Sequence, residues 1–225
     1  IVILGATGAV GQATLAALLT SRHELHVTTL GRRKVDCPDN PRLTQHLVDI
    51  HDPSSYAHHL TGQQAAICTL GVGQPSAMSQ ADFIRIDKDA VLGFARACKT
   101  AGVAHFQLLG SVGADARSRS FYLRTKGELQ QALTDLSFAR LSLFNPSMIL
   151  TPTNRYGFSQ AVTLAIWPHL DFLLRGSARK LRGIPVAQLG QAMAANIFST
   201  GNGAETLYWP DFKRLAGTGD ATRAD

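Results

Sequence analysis

A glycine-rich run, GATGAVG at residues 5–11, constrains the fold more than any other feature of the chain. It follows the apolar run IVIL at residues 1–4 and opens an alanine- and leucine-rich segment at residues 9–19. Glycines between a strand and a helix allow a tight turn, and they let backbone N–H groups approach a phosphate closely. A glycine trio alone is also typical of a flexible loop, but in this context it predicts a strand–turn–helix unit that holds a dinucleotide pyrophosphate.

Short apolar runs alternate with helix-like segments over the first 145 residues. The predicted strands are residues 1–4, 25–30, 43–48, 65–70, 106–109 and 138–144, and the predicted helices are residues 9–19, 54–60, 82–101 and 121–133. Short, continuously apolar runs are typical of buried parallel strands. We therefore predict an α/β fold with a doubly wound, mostly parallel, Rossmann-type sheet and a ligand site at the carboxyl ends of its strands.

The rest of the chain is punctuated by prolines and is expected to be a small C-terminal region on the substrate side of the same domain. Within it, residues 186–198 predict a helix and residues 205–209 predict a strand. We place the dinucleotide-binding Rossmann core at residues 1–145, the C-terminal substrate-side region at residues 146–216 and a frayed tail at residues 217–225.

Composition excludes several classes of protein. With 45% hydrophobic and 17% charged residues, the chain buries enough apolar surface to fold, which excludes a disordered chain. The net charge of +6 is weak and dispersed, so we predict no nucleic-acid partner. The least charged stretch, residues 156–174, is interrupted by polar residues and predicts no membrane span. The first residues show no signal peptide, and we expect a cytoplasmic protein.

No metal site is predicted, because Cys37, Cys68 and Cys98 are far apart and form no CxxC pair. His58 and His59 are adjacent and lack a set of partner ligands, which is typical of solvated side chains. A basic cluster at residues 175–182 fits either a solvated loop or a grip on an acidic substrate or a membrane surface.

The end of the second predicted strand carries cations where an enzyme that uses NAD would carry a carboxylate. Arg32, Arg33 and Lys34 follow Gly31 there, and a guanidinium binds a 2′-phosphate in a bidentate fashion. A solvated basic loop is the alternative, but the position predicts NADP(H) rather than NAD(H). After the third strand, Asp49 and Ile50 are placed to meet the adenine, although Asp49 equally fits a loop carboxylate that caps the next helix.

Ser111 follows the fifth predicted strand, and Tyr122 and Lys126 lie four residues apart in the next helix. That spacing places both side chains on one helix face, one turn apart. A tyrosine phenol ordinarily titrates at about pH 10, but an adjacent ammonium and a cationic nicotinamide favour its phenolate. The Tyr-x-x-x-Lys spacing is common on protein surfaces, but together with the glycine run and Ser111 it predicts a catalytic site. In that site Tyr122 exchanges a proton with a substrate oxygen, Lys126 also binds ribose hydroxyls, and Ser111 orients a carbonyl.

These motifs follow one another in the order GATGAVG, GRR, VDIHD, TLGVG, LLGSVGAD, YLRTKGEL and LFNPSMIL. The ordered set resembles the atypical short-chain dehydrogenase/reductases of the NAD(P)-binding Rossmann-fold family, in particular their Tat-interacting oxidoreductase-like branch. The resemblance covers residues 1–150, with a fainter continuation beyond.

The resemblance implies a role for most residues of these motifs. The implied cofactor-binding residues are Gly5, Thr7, Gly8, Val10 and Gly11 at the pyrophosphate, Arg32 and Arg33 at the 2′-phosphate, Leu70, Gly71 and Val72 along the adenosine and nicotinamide ribose, and Pro146 beside the nicotinamide. Position alone adds Ala9 of the glycine run, Asp49, Ile50 and Lys126 to the predicted cofactor-binding residues. Ser111, Tyr122 and Lys126 match the catalytic trio.

The chain departs from the family pattern at three places. Gly110-Ser111 stands where the family often has Ser-Ser, and Asn145-Pro146-Ser147 stands where it often has Arg-Pro-Gly. Asp87 replaces an asparagine that helps to relay protons in many relatives. We expect this aspartate to pair locally on its own helix, with turnover slowed or the relay rerouted.

Together, these features predict an NADPH-dependent oxidoreductase that reduces a small carbonyl compound or oxidises the corresponding alcohol. The alternative is an NADPH-binding regulatory or sensor protein without significant turnover, because fold alone does not decide function. The expected partner is a small-molecule substrate, and a homodimer is left open.

Overall fold

The computed structural model describes residues 1–72, 78–151 and 174–221, and its centre is a parallel sheet of seven strands. The strands of this sheet are β1 (Val2–Leu4), β2 (Val27–Gly31), β3 (Leu43–Leu47), β4 (Ala65–Cys68), β5 (His105–Leu109), β6 (Arg140–Phe144) and β9 (Gly203–Leu207). They lie in the order β3-β2-β1-β4-β5-β6-β9, and every neighbouring pair is parallel. The short strands β7 (Ile149–Leu150) and β8 (Ile184–Pro185) form a separate parallel pair.

Helices cover both faces of this sheet. They are α1 (Ala9–Leu19), α2 (Gln80–Ile84), α3 (Val91–Thr100), α4 (Phe121–Asp135), α5 (Val186–Asn196) and α6 (Trp209–Ala221). Alternate residues of β1 show the two layers, since Val2 and Leu4 belong to a core with α3 and α4, while Ile3 belongs to a core with α1, α5 and α6. The predicted doubly wound α/β fold is confirmed.

The strand order reverses between β1 and β4. The chain builds β1, β2 and β3 outward in one direction, then returns and places β4 on the other side of β1. Leu4 pairs with Cys68, so the segments that follow the two strands diverge from adjacent points. In open parallel sheets this switch point is where ligands bind.

The segment predicted as one helix at residues 82–101 has three parts. A π-helical segment, Arg85–Ala90, lies between α2 and α3. A π segment accommodates one extra residue in a helix and is frequent at functional sites. Here it buries Asp87, which is 1% exposed, while its neighbours Arg85 and Asp89 are exposed.

The helix predicted at residues 54–60 is wrong, because two short 3₁₀ turns, Pro53–Ser55 and Ala57–Leu60, occupy that stretch. Tyr56 separates them with non-helical backbone angles, φ −135° and ψ −5°. Its ring is fully buried and packs edge-on against Phe94, with ring centroids 6.0 Å apart. Burial of this ring in the core outweighs continuation of the local helical pattern.

The C-terminal region contributes an edge strand to the main sheet and a helix that packs on it. The predicted strand at 205–209 is present as β9, and it pairs with β6. The helix α6 was not predicted; it buries Phe212 and Leu215, and Pro210 is tolerated because it lies in the first turn. This helix enters the segment predicted as a frayed tail.

Most of the 156–174 stretch and residues 222–225 lie outside the described residues. Among the helices described, none is both long and apolar enough to cross a membrane.

A buried polar cluster lies where β5 and β6 begin, that is, at the amino ends of the strands, opposite the switch point. The Ser142 hydroxyl donates to Glu205 at 2.7 Å, and the Arg140 guanidinium donates to the same carboxylate oxygen at 2.7 Å. His105 Nε2 lies 2.8 Å from the Ser142 oxygen. Because that hydroxyl already donates to Glu205, a neutral His105 that donates from Nε2 satisfies the contact.

Stability should fall in mild acid because of His105. Burial, with the neighbouring Arg140 charge, lowers the pKa of His105 to about 4, whereas an unfolded histidine titrates at about 6.5. Between these values the unfolded chain binds the additional proton, so the contribution of His105 to stability is full above pH 6.5 and declines toward pH 4. We expect urea denaturation to show a decrease of about 2 kcal/mol between pH 7 and pH 4.5 that is smaller in His105→Gln. An equal decrease in both proteins would contradict this assignment.

Candidate active site

The glycine run after β1 contains two glycines that the protein fold itself requires. Gly5 has φ +91°, and a Cβ there would lie 2.5 Å from the backbone nitrogen of Leu70. A Cβ on Gly11 would lie 2.7 Å from Thr69 Oγ1 and 2.8 Å from the Cα of Ala6. These neighbours are backbone atoms or a buried side chain, so neither position accepts a larger residue without displacement of β4 or the loop.

Gly8 differs, because the fold leaves space there. Its backbone is extended, with φ −74° and ψ 165°, and a Cβ would meet only the carbonyl oxygen of Gly5, at 3.4 Å. Gly8 is the N-cap of α1 and has no side chain to accept from the first-turn N–H groups. The N–H groups of Ala9, Val10 and Gly11 therefore lack intrahelical acceptors and favour an anion at this end of the helix.

The structure brings most of the predicted adenosine-side residues together. A small cleft at the carboxyl ends of β1, β2 and β4 is lined by Gly5, Ala6, Thr7, Thr29, Leu30, Gly31, Arg32, Arg33, Val35, Ile50 and Leu70. Both arginine side chains are exposed, and within residues 1–72, 78–151 and 174–221 neither forms an ion pair. They are thus available to a ligand in the cleft.

Asp49 is not among the described residues that line this cleft. Its carboxylate accepts from the backbone N–H of His51 at 2.9 Å, and its carbonyl oxygen accepts from the Ser55 hydroxyl. The cap of the following 3₁₀ turn comes instead from Asp52, whose carboxylate accepts from Ser54 N at 2.9 Å. Asp49 therefore stabilises the loop after β3 in this structure, and Ile50 is the residue of the pair that reaches the cleft.

Further along the carboxyl ends of the strands, Asp87 joins the loop after β4 to Lys126. Its Oδ1 accepts from Lys126 Nζ at 2.6 Å, and its Oδ2 accepts from the backbone N–H of Val72 at 2.8 Å. The side chains of Lys126 and Asp87 are 7% and 1% exposed. A Cβ on Gly71 would lie 3.2 Å from Asp87 Oδ1 and 3.8 Å from Lys126 Nζ, so the pair lies against the exposed backbone of Gly71.

The expectation that Asp87 pairs locally on its own helix is therefore wrong. The local pair on this segment is Arg85 with Asp82 at 3.7 Å. The π segment turns Asp87 inward toward α4 instead, where it meets Lys126. The sequence contains no local signal for this contact, because the two residues lie 39 positions apart.

Tyr122 and Lys126 lie one turn apart near the start of α4, as their spacing predicts. Lys126 Nζ is 6.0 Å from the centroid of the Tyr122 ring. The half-buried ring also packs against Phe83, with centroids 5.7 Å apart. The tyrosine is thus held between an aromatic contact from α2 and the buried ammonium.

Ser111 and Pro146 follow the neighbouring strands β5 and β6. The backbone N–H of Val112 donates to the Pro146 carbonyl at 2.9 Å, which ties the two loops together. The Ser111 hydroxyl lies 3.4 Å from the carbonyl oxygen of Val112, which is a long contact. Within the described part of the chain, no hydrogen bond joins Ser111 to Tyr122.

Two of the departures from the family pattern lie against each other. Asn145 and Gln130 exchange side-chain hydrogen bonds of 2.8 and 3.3 Å above Gly110. A Cβ on Gly110 would lie 2.6 Å from the Gln130 amide nitrogen and closer still to the Asn145 side-chain oxygen. A serine at position 110 would therefore require these two side chains to move.

The other potentially reactive groups of the described residues are histidines, acidic residues and cysteines. Among the described residues, no group of three histidine, cysteine, aspartate or glutamate side chains is arranged to hold a metal ion. Cys68 is fully buried at the end of β4, and burial raises the pKa of its thiol to about 12. A thiol protonated to that extent is a poor nucleophile.

Comparison with known proteins agrees with this geometry. Residues 5–142 match the family model described as "NAD(P)H-binding". Protein HTATIP2 of Rattus norvegicus is 33% identical over 208 residues, which cover 91% of this chain and 84% of that protein. "Protein FMP52, mitochondrial" of Coccidioides immitis is 31% identical over 162 residues, or 65% of this chain and 64% of that protein. Since that relative is named mitochondrial, the cytoplasmic location stays a prediction.

Solved structures with low identity share the fold. MoeE5 in complex with UDP-glucuronic acid and NAD has a TM-score of 0.71 at 17% identity, covering 92% of this chain and 74% of that chain. The Bordetella bronchiseptica enzyme WbmH in complex with NAD+ has a TM-score of 0.68 at 16% identity, covering 96% and 78%. The family model spans more than half of the residues and the rat relative covers most of the length, so the chain belongs to the NAD(P)H-binding family.

Proposed function

We propose that this protein is an NADPH-dependent oxidoreductase that reduces a small carbonyl compound, or oxidises the corresponding alcohol, at Ser111, Tyr122 and Lys126. One observation carries the proposal. Three features lie together at the carboxyl ends of the parallel strands. They are a glycine turn whose helix has no side-chain cap, a cleft that ends at two exposed arginines, and a Tyr–Lys pair beside the loop that follows β4.

The described residues fit a phosphorylated dinucleotide. The first-turn N–H groups of α1 and the space above Gly8 suit a pyrophosphate. Arg32 and Arg33 suit a 2′-phosphate, because a guanidinium offers paired donors to phosphate oxygens. Gly71 leaves its backbone exposed beside Lys126, which allows a ribose to approach the ammonium.

When bound, NADPH supplies the hydride, and the residues of this chain handle the proton. The Tyr122 hydroxyl donates a proton to the carbonyl oxygen of the substrate, and in the reverse direction it accepts that proton. The Ser111 hydroxyl donates a hydrogen bond to the same oxygen and fixes its orientation. The Lys126 ammonium binds the ribose hydroxyls and stabilises negative charge on the phenol oxygen.

The second candidate is an NADPH-binding sensor without significant turnover. The buried Asp87 carboxylate favours it, because a negative charge 2.6 Å from Lys126 Nζ offsets the positive charge that would stabilise a phenolate. The Tyr122 hydroxyl favours the enzyme, since binding alone does not require a proton donor. Turnover distinguishes the two candidates.

NADPH should bind more tightly than NADH. Loss of a charge-assisted contact to a phosphate lowers affinity by about ten- to a hundred-fold. We expect isothermal titration calorimetry to show this difference for the wild-type protein, and to show that Arg32→Ala/Arg33→Ala removes it by weakening NADPH only. Lys34→Ala, a neighbouring exposed cation outside the cleft lining, is the control. Equal affinities in the wild-type protein would refute the cofactor preference.

Gly8→Val should lower cofactor binding, whereas Gly11→Ala should lower stability. The Cβ of a valine at Gly8 meets only a carbonyl oxygen, and the substitution costs the helix cap about 1 kcal/mol. The side chain would occupy the pyrophosphate position, so a folded protein should lose NADPH binding. Alanine at Gly11 overlaps backbone atoms, and it should lower the free energy of unfolding by about 1–3 kcal/mol. Urea denaturation and calorimetry separate the two effects. NADPH binding by folded Gly8→Val would show that the pyrophosphate lies elsewhere.

Tyr122→Phe and Lys126→Ala should separate proton transfer from cofactor binding. Removal of the phenol hydroxyl should leave NADPH affinity within a few-fold of the wild-type value and lower turnover by about 10² to 10⁴. Lys126→Ala should lower both affinity and turnover. NADPH oxidation is followed with a panel of aldehydes, ketones, quinones and a nucleotide sugar. If NADPH binds and no compound of the panel is reduced, the sensor becomes the better candidate; if Tyr122→Phe works at the wild-type rate, the catalytic assignment is wrong.

A further inference from the structure

Asp87 is the most deeply buried carboxylate of the candidate site, and the proton-transfer scheme assigns it no task. Its two oxygens serve different parts of the site, one facing Lys126 Nζ and the other the N–H of Val72. At 1% exposure it receives almost no water. The protein therefore satisfies this buried charge itself, with the Lys126 ammonium on one oxygen and the Val72 backbone N–H on the other.

The π segment that carries Asp87 is attached to α4 by two ion pairs. Asp87 meets Lys126, and the next residue, Lys88, meets Glu128 at 2.6 Å. The two pairs have opposite polarity, since the acid lies on the π segment in the first and on α4 in the second. If α4 shifted along this segment, like charges would meet. The two ion pairs therefore fix the register of α4 relative to the π segment.

The Asp87 contact also fixes the direction of the lysine side chain. Lysine has four rotatable bonds and ordinarily extends its ammonium into water. Here the ammonium donates to Asp87 Oδ1, and Nζ lies 3.8 Å from the Cβ position of Gly71. The same carboxylate holds Val72, which follows Gly71 directly.

We propose that Asp87 is a positioning residue that acts through Lys126: its carboxylate holds the Lys126 ammonium against the Gly71–Val72 backbone so that the ammonium meets the cofactor ribose. This inference rests on the proposed function, because it requires Lys126 to contact the bound dinucleotide. It assigns Asp87 no contact with the reacting atoms.

Asp87→Asn tests this idea, because it keeps the shape of the side chain and removes its charge. We expect NADPH affinity, measured by calorimetry, to fall about ten-fold, and turnover to fall with it, as in Lys126→Met and unlike Tyr122→Phe. In a Lys126→Met background, Asp87→Asn should cause no further loss of affinity, since the residue through which it acts is gone. Asp89→Asn, the same substitution at an exposed position of the π segment, is the matched control and should behave as the wild-type protein.

Two measurements without cofactor complete the design. Lys126→Met leaves the buried Asp87 carboxylate without its ion-pair partner. The Lys126→Met/Asp87→Asn double variant should therefore have a higher melting temperature than Lys126→Met alone. Reductive methylation followed by mass spectrometry should label Lys126 faster in Asp87→Asn than in the wild-type protein, with the labelling of Lys99 unchanged.

The outcomes separate this inference from the proposed function. If the wild-type protein binds no NADPH, both fall together. If it binds NADPH and Asp87→Asn binds equally well, or loses as much affinity in the Lys126→Met background as alone, only the positioning role is refuted.

Discussion

The close approach between the glycine turn and the end of β4 is the contact on which the rest of the site depends. The Thr69 N–H donates to the Leu4 carbonyl at 2.9 Å, and the Thr69 hydroxyl donates to the Gly5 carbonyl at 3.0 Å. Because Gly5 and Gly11 carry no side chains, α1 begins directly against this strand end. Its N-terminus then opens at the switch point of the sheet, beside the loop that carries Gly71. One backbone contact thus brings together the anion-binding and lysine-bearing parts of the edge.

Local sequence signals predicted the parts of the molecule that local physics determines. Apolar runs located the buried strands of the central sheet, β1, β2, β4, β5 and β6, because a strand buried on both faces has few alternatives to apolar residues. The glycine run, Arg32 and Arg33 were found for the same reason, since each follows a predicted strand and the carboxyl ends of parallel strands share one edge. The spacing of Tyr122 and Lys126 sufficed to place both on one face of α4.

Contacts between distant residues explain what was missed. The Tyr56 ring breaks a helical pattern because it fills a core position beside Phe94, which lies in another element. The partner of Asp87 depends on an extra residue in a helix, for which no local pattern exists. Gly110 lies under the hydrogen-bonded side chains of Asn145 and Gln130, three residues that only the folded chain brings together. In each case, the sequence showed the residue type and the tertiary contact decided its role.

The packing of α5 against α1 has a consequence for how the protein is made. A Cβ on Gly190 would lie 2.5 Å from the Ala13 Cβ and 2.7 Å from the backbone nitrogen of Thr14, so the two helices touch through their backbones. The outer side of the helix that begins at the glycine turn therefore has no cover until residue 190 has been synthesised. Although domains generally fold from the N-terminus during translation, this side of α1 is covered by a segment that is synthesised long after it. Until then a nascent chain exposes apolar surface on α1, and truncation before α5 would leave that surface exposed permanently.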